Sequence, residues 1–262
     1  MLKHGLRVGV VALGSATALG MAGVAGSAGV AGASTAAPQS LSSIQAKAEA
    51  AITLRVNDLH AAITKVSDAT NLGSEQAALE SYLNTDIGPL NTLYTEVQNA
   101  TTVQQAQDLD MTIYTGYRVL ALVLPASGLA GRSAVMDNAD LPALNTDYTN
   151  LSARVNPSNQ AQLAPLLSDL EHDINAATAL TTGLPSTVLA FSPSDWNANH
   201  EVLAPAHADL ETAGGDVKSA HSYVQQIRAI LKAGKSSAPT PAAAPAVPAT
   251  TPATTVPATP AS

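Results

Sequence analysis

The chain has 262 residues, 46% of them apolar but only 3% aromatic and 12% charged, and it contains no cysteine. With six Tyr, one Phe and one Trp, it lacks the aromatic filling of a β-sandwich or barrel, and its Ala, Leu and Val content favours close-packed helices. A formal charge of −8 repels phosphate backbones and anionic membrane surfaces, so nucleic-acid binding is not expected; zero Cys excludes disulfides, thiolate metal sites and Cys nucleophiles.

The first residues read as a secretory signal. Lys3, His4 and Arg7 form a positive start, and Val8 to about Val24 is apolar and small. Ala31-Gly32-Ala33 and Ser34-Thr35-Ala36 then offer small-x-small cleavage sites. Residues 1–33 are expected to be removed, which takes away Lys3 and Arg7 and leaves the remainder more acidic. An uncleaved N-terminal anchor is the alternative. No later stretch has the ~18 consecutive apolar residues of a spanning helix, so no transmembrane segment is expected after cleavage.

Residues 37–234 form the predicted folded domain. Leu41, Ile44, Ala48, Ile52, Val56, Leu59, Ile63 and Val66 step by three or four along one long helix. Asn71-Leu72-Gly73 ends it and Ser74 is a cap for the next. Leu79, Leu83, Ile87, Leu90, Tyr94 and Val97 form the second stripe, with a kink or break expected at Gly88-Pro89. Thr102 and Gln105 make a capping box for a third helix through Leu124, stopped by Pro125. The apolar run from Tyr117 to Leu124 should be deeply buried. A loop is expected from Gly128 to Ser133. Leu124-Pro125-Ala126-Ser127-Gly128 resembles a sortase signal but lies far from the C-terminus, and reads instead as a helix stop.

Asp140 is placed as the cap of a helix carrying Leu141, Leu144, Tyr148, Leu151 and Val155, broken at Asn156-Pro157. A fifth helix with Leu163, Leu167, Leu170, Ile174 and Ala177 stops at Gly183. Ser192-Pro193-Ser194-Asp195 is a further cap, and Trp196 plugs the end of the bundle. The longest stripe comes last: Leu203, Ala206, Leu210, Ala213, Val217, Ala220, Val224, Ile227 and Leu231 alternate steps of three and four. Residues 235–262 form a tail that, after Lys235, holds only Pro, Ala, Thr, Ser and Val. Such a tail has little to bury and is expected to be disordered.

Catalytic motifs do not emerge. Gly-x-Ser-x-Gly, Ser-x-x-Lys, His-Glu-x-x-His and phosphate-loop patterns are missing, so enzymatic activity is not the favoured reading. His207/Glu211 and Asp169/His172/Asp173 are at best half of a metal site, and no metal or cofactor is expected. The weak binding candidates are Tyr114, Tyr117 and Arg118, which at i, i+3 and i+4 would share one helix face and line a polar pocket. The competing reading is that they link neighbouring helices.

The Gly/Ala-rich signal, Cys-free helices, the Tyr117-Arg118-Val119 to Pro125 segment and the Pro/Ala/Thr tail together resemble exported all-helical proteins of high-GC Gram-positive bacteria, many without an assigned activity. The expected architecture is all-α: an elongated antiparallel bundle of about five to seven helices with coiled-coil-like packing, plus the tail. The expected role is a secreted or cell-envelope protein, non-enzymatic, that binds a protein or cell-wall partner or acts as a spacer. The alternative is an extracellular small-ligand-binding protein or enzyme with a pocket near Tyr114, Tyr117 and Arg118. Heptad faces also leave homo-oligomerisation open.

Overall fold

The computed structural model describes residues 39–236. The expected signal at 1–33 lies outside the described residues, as does the expected tail beyond Ser236. Among the described residues the protein is all-α, with no strand.

The first helix, α1 (Leu41–Asp68), begins at Ser40, whose hydroxyl accepts from the Ser43 amide. It pairs with a broken antiparallel helix made of α2 (Glu75–Asn84) and α3 (Ile87–Asn99). The break falls at Thr85-Asp86, just ahead of Gly88-Pro89. Pro89 thereby sits in the first turn of α3, where its missing N–H leaves no bond unmade. Ser74, expected as a cap, is itself in the helical region and makes no capping bond. The turn between α1 and α2 depends instead on Gly73, whose φ is +58°. A Cβ there would lie 2.5 Å from Asn138 Oδ1, so both the backbone conformation and the close approach require glycine. At the other end of the hairpin, Gln45 Nε2 donates to the carbonyls of Val97 (3.0 Å), Gln98 (3.2 Å) and Ala100 (3.1 Å), satisfying the C-terminus of α3.

Helix α4 (Val103–Thr112) starts with the expected Thr102 cap: the Gln105 amide donates to Thr102 Oγ1, and Gln105 Oε1 accepts from the Thr101 amide. Contrary to expectation, the helical path does not stop at Pro125. It runs on through two π-helical segments, π1 (Ile113–Tyr117) and π2 (Val119–Val123), into α5 (Leu124–Val135), a third segment π3 (Met136–Asp140) and α6 (Leu141–Ser152). Pro125 is accommodated in the first turn of α5, directly after the widened π turn. The expected loop at Gly128 to Ser133 is buried helix, in which Leu129, Ala130, Gly131 and Ser133 pack inward and Ser133 Oγ donates to the Thr181 carbonyl. Asp140 makes no capping bond. Of the expected buried run, Val119, Leu122 and Val123 are buried while Leu120 is 47% exposed.

The stretch Val103–Ser152 also contains an 18-residue window with mean hydropathy 1.6, long and apolar enough to cross a membrane by composition, with 50% of that window buried inside the fold. Polar residues interrupt the window, so no run of consecutive apolar residues marks it in the sequence.

After the break at Asn156-Pro157, α7 (Gln160–Thr181) returns antiparallel to α6 and ends where Gly183 takes φ 76°. Short helices α8 (Leu184–Leu189) and α9 (Pro193–Ala198) come next. The Ser192/Asp195 capping box forms as expected at α9. Helix α10 (Ala204–Ser236) has 33 residues, about 50 Å at 1.5 Å each. Pro205 lies at its start without breaking it, and Gly214-Gly215 is carried within it.

Two cores result. The larger joins α1, α2, α3, π1, π2, α5 and α8 to Leu203, just ahead of α10, and to Ala206 and Leu210 within it. The second joins α6 and α7 to Ala213, Ala220, Val224, Ile227 and Leu231 of α10. In that three-helix unit the small buried faces of Ala177, Ala213 and Ala220 let α7 and α10 pack closely. Arg228–Asp147 (2.6 Å) and Tyr148–Glu171 (3.0 Å) tie α6 to its neighbours. Met136, at the start of π3, packs against both cores.

Candidate functional site

The three residues singled out by the sequence sit at the most irregular point of the chain. Tyr114 and Tyr117 belong to π1, and Arg118, between π1 and π2, adopts φ 49° and ψ 31°. It is the one non-glycine residue with positive φ among those described. An i→i+5 geometry followed by a left-handed residue abolishes the shared face that α-helical spacing implies. Each side chain therefore meets a different neighbour.

Arg118 Nε donates to Asn197 Oδ1 (2.7 Å), and Asn197 Nδ2 donates back to the Thr115 carbonyl (2.9 Å), so α9 clasps the irregular turn. Tyr117 is half-buried against α3, lining a shallow depression of about 500 Å³ with Gly88, Pro89 and Glu96. Burial, then the negative charges of Asp86 and Glu96, push its phenol above the usual range. Tyr114 remains 39% exposed and faces the opposite way, towards α1.

There Tyr114 joins residues the sequence did not single out. The Arg55 guanidinium lies over its ring, 4.7 Å from the centroid. Arg55 is only 6% exposed, and its Nη1 donates to the Ala51 carbonyl at 2.8 Å. It makes no ion pair among the described residues, so the ring face and the carbonyl are what offset the cost of burying its charge. Beside it, Lys47 Nζ donates to Asp110 Oδ2 at 2.9 Å. That bond and the attached negative charge hold the Lys47 ammonium above its ordinary value. Asp110 Oδ1 is closed to solvent and has no hydrogen-bond partner.

Lys47, Asp110 and Tyr114 line an open-sided groove of about 480 Å³ between α1 and α4, completed by Ser43, Ile44, Gln104, Gln107, Asp108 and Met111. Its volume falls within the ~300–1,000 Å³ of small-molecule sites. Gln104 Nε2 donates to Asp108 Oδ1 at 2.9 Å, whereas the Gln107 amide makes no side-chain bond. The groove thus presents hydrogen-bond donors and acceptors, with two carboxylates against one ammonium, around one aromatic ring.

The histidine candidates lead elsewhere. His207 Nδ1 lies 3.5 Å from Glu211 Oε1, with both side chains exposed on α10. No group of three or more His, Asp or Glu side chains is placed to hold a metal ion among the described residues. No protein-family model matches the chain, and no curated protein or solved structure matches it.

Proposed function

We propose that this is an exported, non-enzymatic binding protein that engages a cell-envelope or extracellular partner through the face formed by α1 and α4. The observation that carries the reading is where apolar side chains stay exposed. Among the described residues, Leu54 on α1 and Val103, Met111, Tyr114 and Leu120 on α4 and the π segments are the large apolar residues left open to solvent. Met111, at 62% exposed, and Tyr114 rim the groove. Exposed apolar side chains at the rim of a concave polar surface suit a binding face. The export half of the reading rests on the positive start, apolar run and small-x-small sites within residues 1–36.

Two measurements test it together. Fractionation of producing cells with intact-mass analysis should find the chain outside the cytoplasm, beginning near Ser34 or Ala37. A photo-crosslinking residue at Met111 should form a covalent adduct in those cells, and one at Ser222 on α10 should not. A full-length cytoplasmic chain would remove the export half. Equal adducts at both positions, or none at Met111, would remove the binding face.

A further inference from the structure

We infer that the groove between α1 and α4 is a carbohydrate subsite, in which a neutral sugar ring stacks on Tyr114 and its hydroxyls bond to Lys47, Gln104, Gln107, Asp108 and Asp110. The inference rests on the binding role proposed above and names the ligand class for the same face.

Charge narrows the ligand first. Asp108 and Asp110 face the groove against the single ammonium of Lys47, so an anion would meet two carboxylates. A cation would be drawn by the carboxylates but would find the Tyr114 ring already carrying the Arg55 guanidinium, so the ring offers it no free cation–π contact. A neutral ligand can use the ring without competing with Arg55 and without meeting the carboxylates as an anion would. Hydrogen-bond inventory narrows it further. The lining offers an ammonium and two carboxamides that donate, and carboxylates and carboxamide oxygens that accept. Gln107 has its whole amide unspent, and Asp110 Oδ1 lacks a donor. Asp110 Oδ2, held by Lys47, keeps a further lone pair for a ligand hydroxyl. A ligand that fits must present several O–H groups, each able to donate and accept, around a core with an apolar C–H face. A sugar ring has that construction.

The fixed ring is the third observation. An exposed tyrosine ordinarily rotates freely, and ordering it on binding costs affinity. Here a buried arginine, itself anchored to the Ala51 carbonyl, backs the ring while leaving 39% of Tyr114 open. That places a stacking platform in position before any ligand arrives. The groove is also open-sided, so a ring within a longer glycan enters without its chain ends being enclosed.

The test is a titration of ¹⁵N-labelled protein with soluble oligosaccharides of glucose, mannose, arabinose and N-acetylglucosamine, read by amide and side-chain shifts. Saturable shifts confined to Lys47, Gln104, Gln107, Asp110 and Tyr114 are expected with at least one series. Tyr114→Ala should weaken binding about tenfold, the loss of one aromatic stacking contact, while Tyr114→Phe keeps most of it. Gln107→Ala, at an exposed position, should weaken it severalfold with an unchanged far-UV spectrum. The inference falls if no series gives saturable shifts, or if binding survives Tyr114→Ala unchanged. Failure of the underlying reading would appear separately, as a cytoplasmic chain or a Met111 crosslinker without an adduct. A protein adduct at Met111 with no saccharide shifts would leave the binding face standing and overturn the sugar assignment.

Discussion

The Tyr82 hydroxyl is closed off from solvent and has no hydrogen-bond partner among the described residues. Burial, then the negative charge of Asp86 four residues on, pushes its phenol up from 10.0 to about 12. The folded state therefore keeps the proton to higher pH than the unfolded chain does. The stability this contributes is intact below pH 10 and is lost as pH rises from 10 to about 12. Tyr82→Phe keeps the ring and removes the unmet hydroxyl, so at neutral pH it should match or exceed the parent by up to about 1 kcal/mol. In urea unfolding series at neutral and alkaline pH, the parent should lose more stability above pH 10 than Tyr82→Phe. Tyr117 and Tyr148, also held above their usual range, contribute equally to both proteins and cancel. Parallel losses would show that the Tyr82 hydroxyl is not closed off. The residue scale is also where the sequence kept most hidden. Along α1, steps of four, three and four link Ala48, Ile52, Arg55 and Leu59, all buried. Apolar spacing passes from Ile52 to Val56 and skips the charged side chain that holds the core phase. Tyr114 was legible from the scarcity of aromatics, but its cation is Arg55 from another helix, not Arg118 beside it.

The break at Arg118 has a packing cause that operates at the level of the element. Ile113 and Val119 are both fully buried, yet they stand six residues apart. At 3.6 residues per turn that spacing puts them on well-separated sides of a straight helix. Two π segments around a left-handed residue return both to the core, and three-and-four periodicity cannot register such a correction. The regular helices were legible for the opposite reason: α7 and α10 bury nearly every residue of their expected stripes. In α5, by contrast, Pro, Gly and Ser read as loop signals although their small size serves tight burial. Left-handed backbone costs a residue with a Cβ about 1–2 kcal/mol, and the Arg118–Asn197 bond at 2.7 Å offsets part of that. Arg118→Ala loses the bond and keeps the strain; Arg118→Gly loses the bond and the strain. Glycine should therefore be more stable than alanine by about 1 kcal/mol, the reverse of their order inside a helix. Thermal or urea unfolding of the two variants decides it. An alanine variant at least as stable as glycine would mean that residue 118 is not left-handed in solution.

The described residues form two main cores threaded by two continuous elements, and their cooperativity follows from that threading. The stripe of α10 was readable from Leu203 to Leu231, but nothing in its spacing marks where one core gives way to the other. The division comes from its partners: α5 on one side, α6 and α7 on the other. At the joint the contacts become polar. Thr181 Oγ1 donates to Asp137 Oδ1, and Asn138 Nδ2 donates to the Leu72 and Ala134 carbonyls. Such a joint would let the cores melt separately if they were linked by loops alone. Here α10 and the path through π3 cross it as helix, and Met136 packs on both sides, so melting either core frays helix shared with the other. Trp196, the single tryptophan, packs against the first core, whereas Leu170 is fully buried in the second. Leu170→Ala should cost about 2–5 kcal/mol through lost burial and the cavity it leaves. If the molecule unfolds as one unit, Trp196 fluorescence and far-UV circular dichroism should give coincident urea midpoints. Both should then move together in the Leu170→Ala protein, although the tryptophan lies in the other core. A fluorescence midpoint that stays in place while the circular dichroism transition splits would show that the cores fold separately and that the polar joint is a true boundary.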